Sequence, residues 1–352
     1  MLMKMAACTV VMAVAVMFTG CTRYKLVPVE STAAATAQAS SAASASAASA
    51  ASASSTVSGN DVSGLPTSDI KEDTAQASSA AASAASESPA SSAADDGKLQ
   101  IVVMGDSIFD NYRTPSGIAS LVAQQLNANV YNMAVAGTTA ALPANCPNTY
   151  DQWNDCDFIG VAHVLTGDIK PDLLNGHAAR DVYGTFDPAK TDYFIVEYGI
   201  NDFLSSIPRE SNMAAESLDL YSYRGALKNG VMALQNKFPN AKVIIMAPGY
   251  TQFWNSGKMI GDCNTIDRGY GRLIDYTATA VNQAQQMNIP YINSYEDVDI
   301  NNYSASDCLQ DGIHPTDEGC RRYAKTIVAK IQALEAAGNG STDTSSASQS
   351  GN

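Results

Sequence analysis

The chain has 352 residues, a length typical of one large domain or two modest ones. Charged residues make up only 16% of it, below the roughly 25% of soluble domains. Its 35 acidic and 21 basic residues give a net charge of −14, which argues against nucleic-acid binding, since that needs a basic surface to displace phosphate counterions. There is no P-loop and no G-x-G-x-x-G pattern, so the sequence predicts no cofactor.

The first twenty residues have the pattern of an export signal. Lys4 supplies a positive charge, and the apolar run over residues 6–17 is too short to span a membrane as a mature helix. Phe18-Thr19-Gly20-Cys21 then resembles a bacterial lipobox, with Phe18 where Leu is usual. We expect residues 1–20 to be a lipoprotein signal peptide and lipidated Cys21 to anchor an extracytoplasmic protein to the membrane. The alternative is an ordinary signal peptide followed by an incidental Cys.

A low-complexity segment of Ala and Ser follows. Residues 31–60 contain no charged or aromatic side chain, so the segment cannot bury enough apolar surface to offset its chain entropy. We expect residues 21–97 to be a disordered tether and the similar residues 338–352 to be a disordered tail. The folded domain is then predicted to span residues 98–337.

Five cysteines remain once Cys8 leaves with the signal and Cys21 takes the lipid. None forms a C-x-x-C pair, so the spacing of a zinc ribbon is absent. Disulfides are permitted outside the cytoplasm, and buried reduced cysteines are the alternative. The nearest pairs in sequence are Cys146 with Cys156 and Cys308 with Cys320, which leaves Cys263 over.

Short apolar runs alternate with amphipathic stretches from residue 98 onward. The runs predict five strands, at 99–104, 129–135, 193–198, 242–246 and 289–293. Helical periodicity indicates helices within 116–126, 158–166, 214–238, 266–287 and 316–334, with Gly225 and Gly230 as candidate interruptions of the third and Thr316 as the N-cap of the last. This alternation predicts an α/β fold, a flavodoxin-like three-layer α/β/α sandwich with a mainly parallel five-stranded sheet. The long connection over residues 140–192 is expected to form either a rim or lid or a packed subdomain.

Three motifs, far apart in the sequence, together contain the residue types that nucleophilic catalysis by a serine needs. Gly105-Asp106-Ser107-Ile108 and Gly199-Ile200-Asn201-Asp202 each follow a strand, and Asp311-Gly312-Ile313-His314 precedes the last helix. Each motif alone is a common turn, but ligands bind at the carboxyl ends of parallel strands, where the first two lie. A Ser nucleophile needs an adjacent base, and an imidazole held by a carboxylate provides one. Among the three His residues, only His314 lies beside an acidic residue in a loop at this end. His163 and His177 are expected to be structural.

At these residues the chain resembles the SGNH or GDSL hydrolase family. The resemblance implies Ser107 as the nucleophile, with Asp311 and His314 completing the triad. It also implies an oxyanion hole formed by Ser107, Gly137 and Asn201. Ile108 stands where Leu is usual and Ile200 where Thr is common, and neither change removes a reacting group. Gly137 is assigned from the block at residues 132–138, in which little besides the Gly is distinctive.

We therefore expect a surface-anchored serine esterase that cleaves carboxylic esters and removes acetyl groups from envelope or extracellular glycans. The alternatives are a lysophospholipase or lipase-like esterase, a glycan O-acyltransferase, and a non-catalytic glycan-binding lipoprotein. Expected partners are a small ester or acylated glycan and, through the lipid, the membrane, but not nucleic acid. An aromatic rim at the site is expected from Tyr221, Tyr223, Tyr250, Phe253 and Trp254.

Overall fold

Five parallel strands form the central sheet in the computed structural model, which describes residues 96–146 and 155–340. The sheet has the order β2-β1-β3-β4-β7, and the other two strands form an antiparallel hairpin outside it. The strands are β1 (Gln100–Gly105), β2 (Asn129–Asn132), β3 (Tyr193–Glu197), β4 (Lys242–Ala247), β5 (Gln252–Asn255), β6 (Lys258–Asp262) and β7 (Tyr291–Asn293). The predicted five-stranded sheet is confirmed, whereas the hairpin was not predicted.

Helices cover both faces of this sheet. They are α1 (Ser107–Asp110), α2 (Ile118–Leu126), α3 (Phe158–Thr166), α4 (Ala178–Tyr183), α5 (Ile200–Leu204), α6 (Tyr223–Lys237), α7 (Leu273–Gln286), α8 (Ser294–Asp297), α9 (Ala305–Cys308) and α10 (Asp317–Gly340). Helices α2 and α10 pack together in one layer, and α3, α6 and α7 form the other. Every residue of β3 is buried, because a central parallel strand is covered on both sides. Within the described residues, no helix is both long and apolar enough to cross a membrane.

Two helices differ from their predicted bounds. Helix α7 starts at Leu273 rather than near residue 266, because the β5–β6 hairpin and a turn occupy the preceding chain. Helix α10 continues to Gly340, past the predicted end of the domain. Its start is as predicted, since Thr316 Oγ1 accepts the N–H of Gly319 at 3.2 Å, as an N-cap does.

The glycines expected to interrupt α6 instead lie inside a continuous helix. Gly225 and Gly230 both face close neighbours, and a Cβ at Gly230 would lie 2.4 Å from Cε1 of Phe158 on α3. The absence of a side chain therefore allows α3 and α6 to pack closely. This contact explains why Gly230 lies in the helix although glycine lowers helix propensity.

The described part of the long connection 140–192 belongs to the helical layer. All nine residues of α3 are buried, and the helix packs against α6 and β1. This favours the packed alternative over a rim or lid for residues 155–192. Residues 147–154 lie outside the described residues, as do the predicted signal peptide, Cys21, the tether as far as residue 95 and the tail from residue 341.

The α3–α6 contact gives a stability prediction. Gly230→Ala places a methyl group against the fully buried Phe158 ring, and this overpacking costs about 1–3 kcal/mol, more than the roughly 1 kcal/mol that Ala gains in helix propensity. We therefore expect a lower urea midpoint for unfolding. The matched control is Gly184→Ala at the end of α4, where the nearest atom is 3.8 Å from the new Cβ and the midpoint should not fall. Equal midpoints for the two variants would contradict the packing argument.

Candidate active site

Ser107 is the first residue of a short helix that begins where β1 ends. Asp106 caps this helix, and its Oδ1 accepts the N–H of Ile108 at 3.0 Å. The buried strand and the capped turn fix the backbone on both sides of Ser107. Its side chain lies at the carboxyl edge of the sheet, where the residue is 8% exposed.

The loop at residues 311–314 presents Asp311 and His314 together. Asp311 Oδ1 accepts the backbone N–H groups of Ile313 and His314 at 3.0 and 2.9 Å, which closes the loop on itself. Gly312 adopts a φ of +92°, and a Cβ there would lie 2.3 Å from the carbonyl oxygen of Gln252 on β5. The N–H of Gln252 also donates to the Gly312 carbonyl oxygen at 2.8 Å, so the hairpin supports the loop directly.

The loop and the β1 turn meet in one chain of hydrogen bonds. His314 Nδ1 lies 2.7 Å from Asp311 Oδ2, and His314 Nε2 lies 2.9 Å from Ser107 Oγ. A carboxylate only accepts, so Nδ1 donates to Asp311 and Nε2 of the neutral imidazole accepts from the Ser107 hydroxyl. The structure thus brings together the three predicted triad residues from opposite ends of the folded region.

Asp311 remains a carboxylate in this arrangement. Partial burial by itself raises the pKa of Asp311, but the N–H groups of His314 and Ile313 together hold that pKa below its ordinary value. An ionised Asp311 is the form that orients the imidazole and favours its protonated state.

The three predicted oxyanion donors follow three neighbouring strands, β2, β1 and β3. Gly137 has a φ of +80° in the turn after β2, and a Cβ there would meet no atom within 4 Å, so the turn is open on that side. The turn is held by the N–H of Ala136, which donates to Asp110 Oδ2 on α1 at 2.8 Å. Within the described residues, the N–H groups of Ser107 and Gly137 have no hydrogen-bond acceptor.

Asn201 differs from the other two donors because its amide is already engaged. Asn201 Nδ2 donates to Asp106 Oδ2 at 3.1 Å and to the Thr138 carbonyl oxygen at 2.9 Å. Its helix, α5, is held by the buried Asp202, whose carboxylate accepts the N–H groups of Ala140 and Ala141 at 2.8 and 3.1 Å. The amide is therefore rigidly placed. It can donate to a new acceptor only if an N–H is shared between two acceptors or if one of these two hydrogen bonds is broken.

The predicted aromatic rim is wrong in part. Tyr223 and Tyr250 are buried, and the Tyr223 hydroxyl donates to the Tyr198 carbonyl oxygen at 2.8 Å. Tyr221 is half-buried, and its hydroxyl donates to the Cys146 carbonyl oxygen. The exposed ring of the group is Trp254 on β5, which is 48% exposed and lies against Gly312.

A second His–Asp pair, which sequence reasoning missed, lies on the helical layer. His163 Nδ1 is 2.9 Å from Asp168 Oδ2, and His163 Nε2 is 3.2 Å from Asn229 Oδ1. The pair lines a cavity of about 460 Å³ beside α6. The Thr166 hydroxyl lies within hydrogen-bonding distance of both Asp168 Oδ2 and the His163 carbonyl oxygen, at 2.7 and 3.1 Å. His177, the other predicted structural His, is an exposed residue preceding α4.

The five cysteines of the folded region are reduced, as in the alternative without disulfides. Cys146, Cys263, Cys308 and Cys320 are buried thiols outside any disulfide, and the Cys156 thiol donates to the Leu173 carbonyl oxygen. Burial raises the pKa of Cys146, Cys263 and Cys320 to about 11, so these thiols stay protonated and unreactive. Within the described part of the chain, no His, Cys, Asp and Glu side chains are grouped as metal ligands.

The chain is similar to a known protein family and to solved structures. The family model "GDSL-like Lipase/Acylhydrolase" matches residues 101–327. One solved structure matches with a TM-score of 0.51 and 19% identity, over 67% of this chain and 97% of its own. No curated protein matches the chain.

Two further solved structures are similar at lower scores. A possible lipase from Chitinophaga pinensis DSM 2588 has a TM-score of 0.47 and 16% identity, covering 68% of this chain and 99% of its own. A family two carbohydrate esterase from Clostridium thermocellum has a TM-score of 0.41 and 14% identity, and the match covers 67% of this chain and 63% of the esterase chain.

Proposed function

Since this chain belongs to the GDSL-like lipase/acylhydrolase family and is an ester hydrolase, we propose that it is a serine esterase with Ser107, His314 and Asp311 as its catalytic residues. The observation that supports this most directly is the continuous hydrogen-bonded chain from Asp311 Oδ2 through His314 to Ser107 Oγ, at 2.7 and 2.9 Å. Both distances lie within the range that proton transfer needs.

The reaction then proceeds in two halves. His314 Nε2 takes the hydroxyl proton as Ser107 Oγ attacks the ester carbonyl carbon, and the imidazolium is stabilised by Asp311. The proton passes to the departing alcohol, which leaves an acyl ester on Ser107. In the second half His314 takes a proton from water, and the hydroxide attacks the acyl ester. The acid is released and the Ser107 hydroxyl is restored.

The negative charge on the carbonyl oxygen is stabilised by N–H groups at the carboxyl edge of the sheet. Among the described residues, the backbone amides of Ser107 and Gly137 have no acceptor, so each can donate to that oxygen without first breaking another contact. The side-chain amide of Asn201 is the third donor, shared with Asp106 and Thr138. One such donor typically lowers the barrier by about 3–4 kcal/mol.

Ser107→Ala tests the nucleophile. The variant keeps the fold because only a hydroxyl group is removed, and we expect its kcat for p-nitrophenyl acetate to fall at least about 1,000-fold, because no acyl ester can form. A fluorophosphonate probe should label the wild-type chain at Ser107 and should not label the variant. Hydrolysis is followed by nitrophenolate absorbance.

The matched control for this test is Ser120→Ala, on α2, which should retain wild-type turnover and labelling. Substantial hydrolysis by Ser107→Ala would refute the triad. Wild-type protein that neither hydrolyses esters nor reacts with the probe would favour a non-catalytic glycan-binding protein.

We further propose that the natural substrate is an O-acetylated glycan outside the cell. Trp254 presents an exposed indole beside the loop that holds His314. Phe253 packs against Phe203 of α5 with ring centroids 5.5 Å apart, so the hairpin contacts both the Asn201 helix and the 311–314 loop. An exposed indole among polar neighbours such as Asn255, Ser256 and Lys258 suits stacking on a sugar ring better than enclosing an acyl chain.

Trp254→Ala tests this substrate class. Loss of a stacked sugar costs about 1–2 kcal/mol, so KM for an acetylated oligosaccharide should rise roughly tenfold, whereas KM for p-nitrophenyl acetate changes little. Trp254→Phe should retain most of the affinity, and Ile260→Ala, another exposed apolar position on the hairpin, serves as the control.

Equal losses on both substrates would oppose sugar stacking, and a wild-type preference for long acyl chains or lysophospholipids would favour the lipase-like alternative. Efficient acetyl transfer to a sugar acceptor would favour an acyltransferase.

We also propose that the enzyme is held at the outer face of a membrane by a lipid on Cys21, with residues 21–97 as its tether. The support is the sequence of residues 1–21, with its short apolar run and lipobox-like end. A tether of this kind favours a substrate within or just outside the envelope.

Cys21→Ser tests the anchor. The wild-type chain expressed in bacteria should incorporate an alkynyl fatty acid and sediment with membranes, and Cys21→Ser should do neither, because the thiol that would receive the lipid is absent. Cys8→Ser, within the predicted signal peptide, is the matched control and should behave as wild type. Fatty-acid labelling that persists in Cys21→Ser would disprove the assignment.

A further inference from the structure

Two carboxyl groups are buried side by side behind Ser107. Asp106 is fully buried at the end of β1, and Glu197, at the end of β3, is 4% exposed. The strand register pairs Gly105 with Glu197, which brings the carboxyl groups of Asp106 and Glu197 within hydrogen-bonding reach of each other. Two adjacent carboxylates without water would repel each other strongly, so the pair retains a proton.

The contacts of Asp106 show where that proton lies. Asp106 Oδ1 accepts the N–H of Ile108, and Oδ2 accepts Nδ2 of Asn201. Both oxygens therefore act as acceptors, as in a carboxylate. Glu197 Oε2 is buried and receives no N–H or O–H donor from the described residues. Glu197 is thus the protonated partner, and its O–H is the donor to Asp106.

No cation offsets these two groups. None of the ion pairs among the described residues includes Asp106 or Glu197, and burial raises the pKa of both carboxyls above their ordinary ranges. The titratable groups that face the pair are all acids or phenols: Asp202 on α5, Tyr198 after β3, Tyr223 on α6 and Tyr323 on α10. The shared proton is therefore the only counter-charge that the pair has within the described residues.

We propose that Glu197 is a positioning residue for ester hydrolysis: as a neutral acid it donates to the Asp106 carboxylate, which in turn holds the Asn201 amide at the oxyanion site. The inference rests on the proposed function, since it acts through the role of Asn201. If Glu197 could not donate, Asp106 would take up the proton itself, and a protonated oxygen is a poor acceptor for Asn201. The amide would then lose its orientation, with a loss in kcat rather than in substrate binding.

The test compares two substitutions of similar size in the full-length chain. Glu197→Met removes the donor, and we expect kcat for p-nitrophenyl acetate to fall tenfold or more with KM nearly constant. In Glu197→Gln the amide N–H replaces the acid O–H as donor to Asp106, and most of the lost kcat should return. Asp157→Asn is the control, since Asp157 is another buried carboxyl, which caps α3 by accepting the N–H of Gly160, whereas the Asn201 amide bonds to Asp106 and Thr138; kcat of this variant should equal the wild-type value.

The pH profile and the infrared spectrum give readouts that a purely structural role would not change. Raising the pH removes the shared proton and creates two adjacent anions, so kcat of the wild type should fall on the alkaline side, and this fall should be absent from Glu197→Gln, whose amide donor does not ionise. The C=O stretch of a protonated carboxylic acid should be present in the wild type at neutral pH and weaker in Glu197→Gln.

Three results would overturn the inference. They are a folded Glu197→Met with wild-type kcat, a Glu197→Gln that loses as much kcat as Glu197→Met, and an unchanged carboxylic-acid band in Glu197→Gln. Each can occur while the wild type still hydrolyses esters and is labelled at Ser107, which leaves the proposed function intact. Absence of both wild-type hydrolysis and labelling would instead reject the proposed function and the positioning role together.

Discussion

The hydrogen bond between Ser107 Oγ and His314 Nε2 joins residues 207 positions apart, and the proposed chemistry depends on it. Neither residue could hold this geometry alone, because a 2.9 Å contact between two loops requires both backbones to be fixed. Ser107 is fixed by a buried strand and a capped turn, and His314 by a loop that closes on Asp311 and rests on the hairpin. The parallel sheet provides this rigidity, since its strands end at one common edge.

Acidic groups dominate the interior next to that edge. Asp106, Glu197 and Asp202 are all almost completely buried, and none of them is in an ion pair within the described part of the chain. Burial raises the pKa of Asp202 to about 7, although two backbone N–H groups favour its charged form. A buried carboxyl with a raised pKa makes the fold less stable as the pH rises. The reason is that the folded state retains a proton that the unfolded chain would release. Their benefit is local, since Asp202 anchors the chain at Ala140 and Asp106 holds Asn201.

Elements with a continuous apolar run were predictable, whereas the half-exposed ones were not. The central strands were recognised because both faces are buried, so that runs such as residues 101–104 are entirely apolar. The β5–β6 hairpin has no such run, most of its positions are half-buried or exposed, and a bulge lies between Phe253 and Trp254. The two glycines of α6 do not interrupt the helix because each lies in a close tertiary contact, Gly230 against α3 and Gly225 against the backbone at Glu216 and Asp219, which no local pattern contains.

The sequence alone indicated the chain order of the five central strands and of the five longer helices, and it singled out Ser107, Asn201, Asp311 and His314 as candidate site residues, because apolar runs and short motifs are local features. Only the tertiary structure decided that Glu197, within an ordinary-looking strand, is paired with Asp106, that the Asn201 amide is already engaged, and that the cysteines are reduced. Those properties depend on distances between segments far apart in the chain, and residue order sets such distances only through the packing of the whole fold.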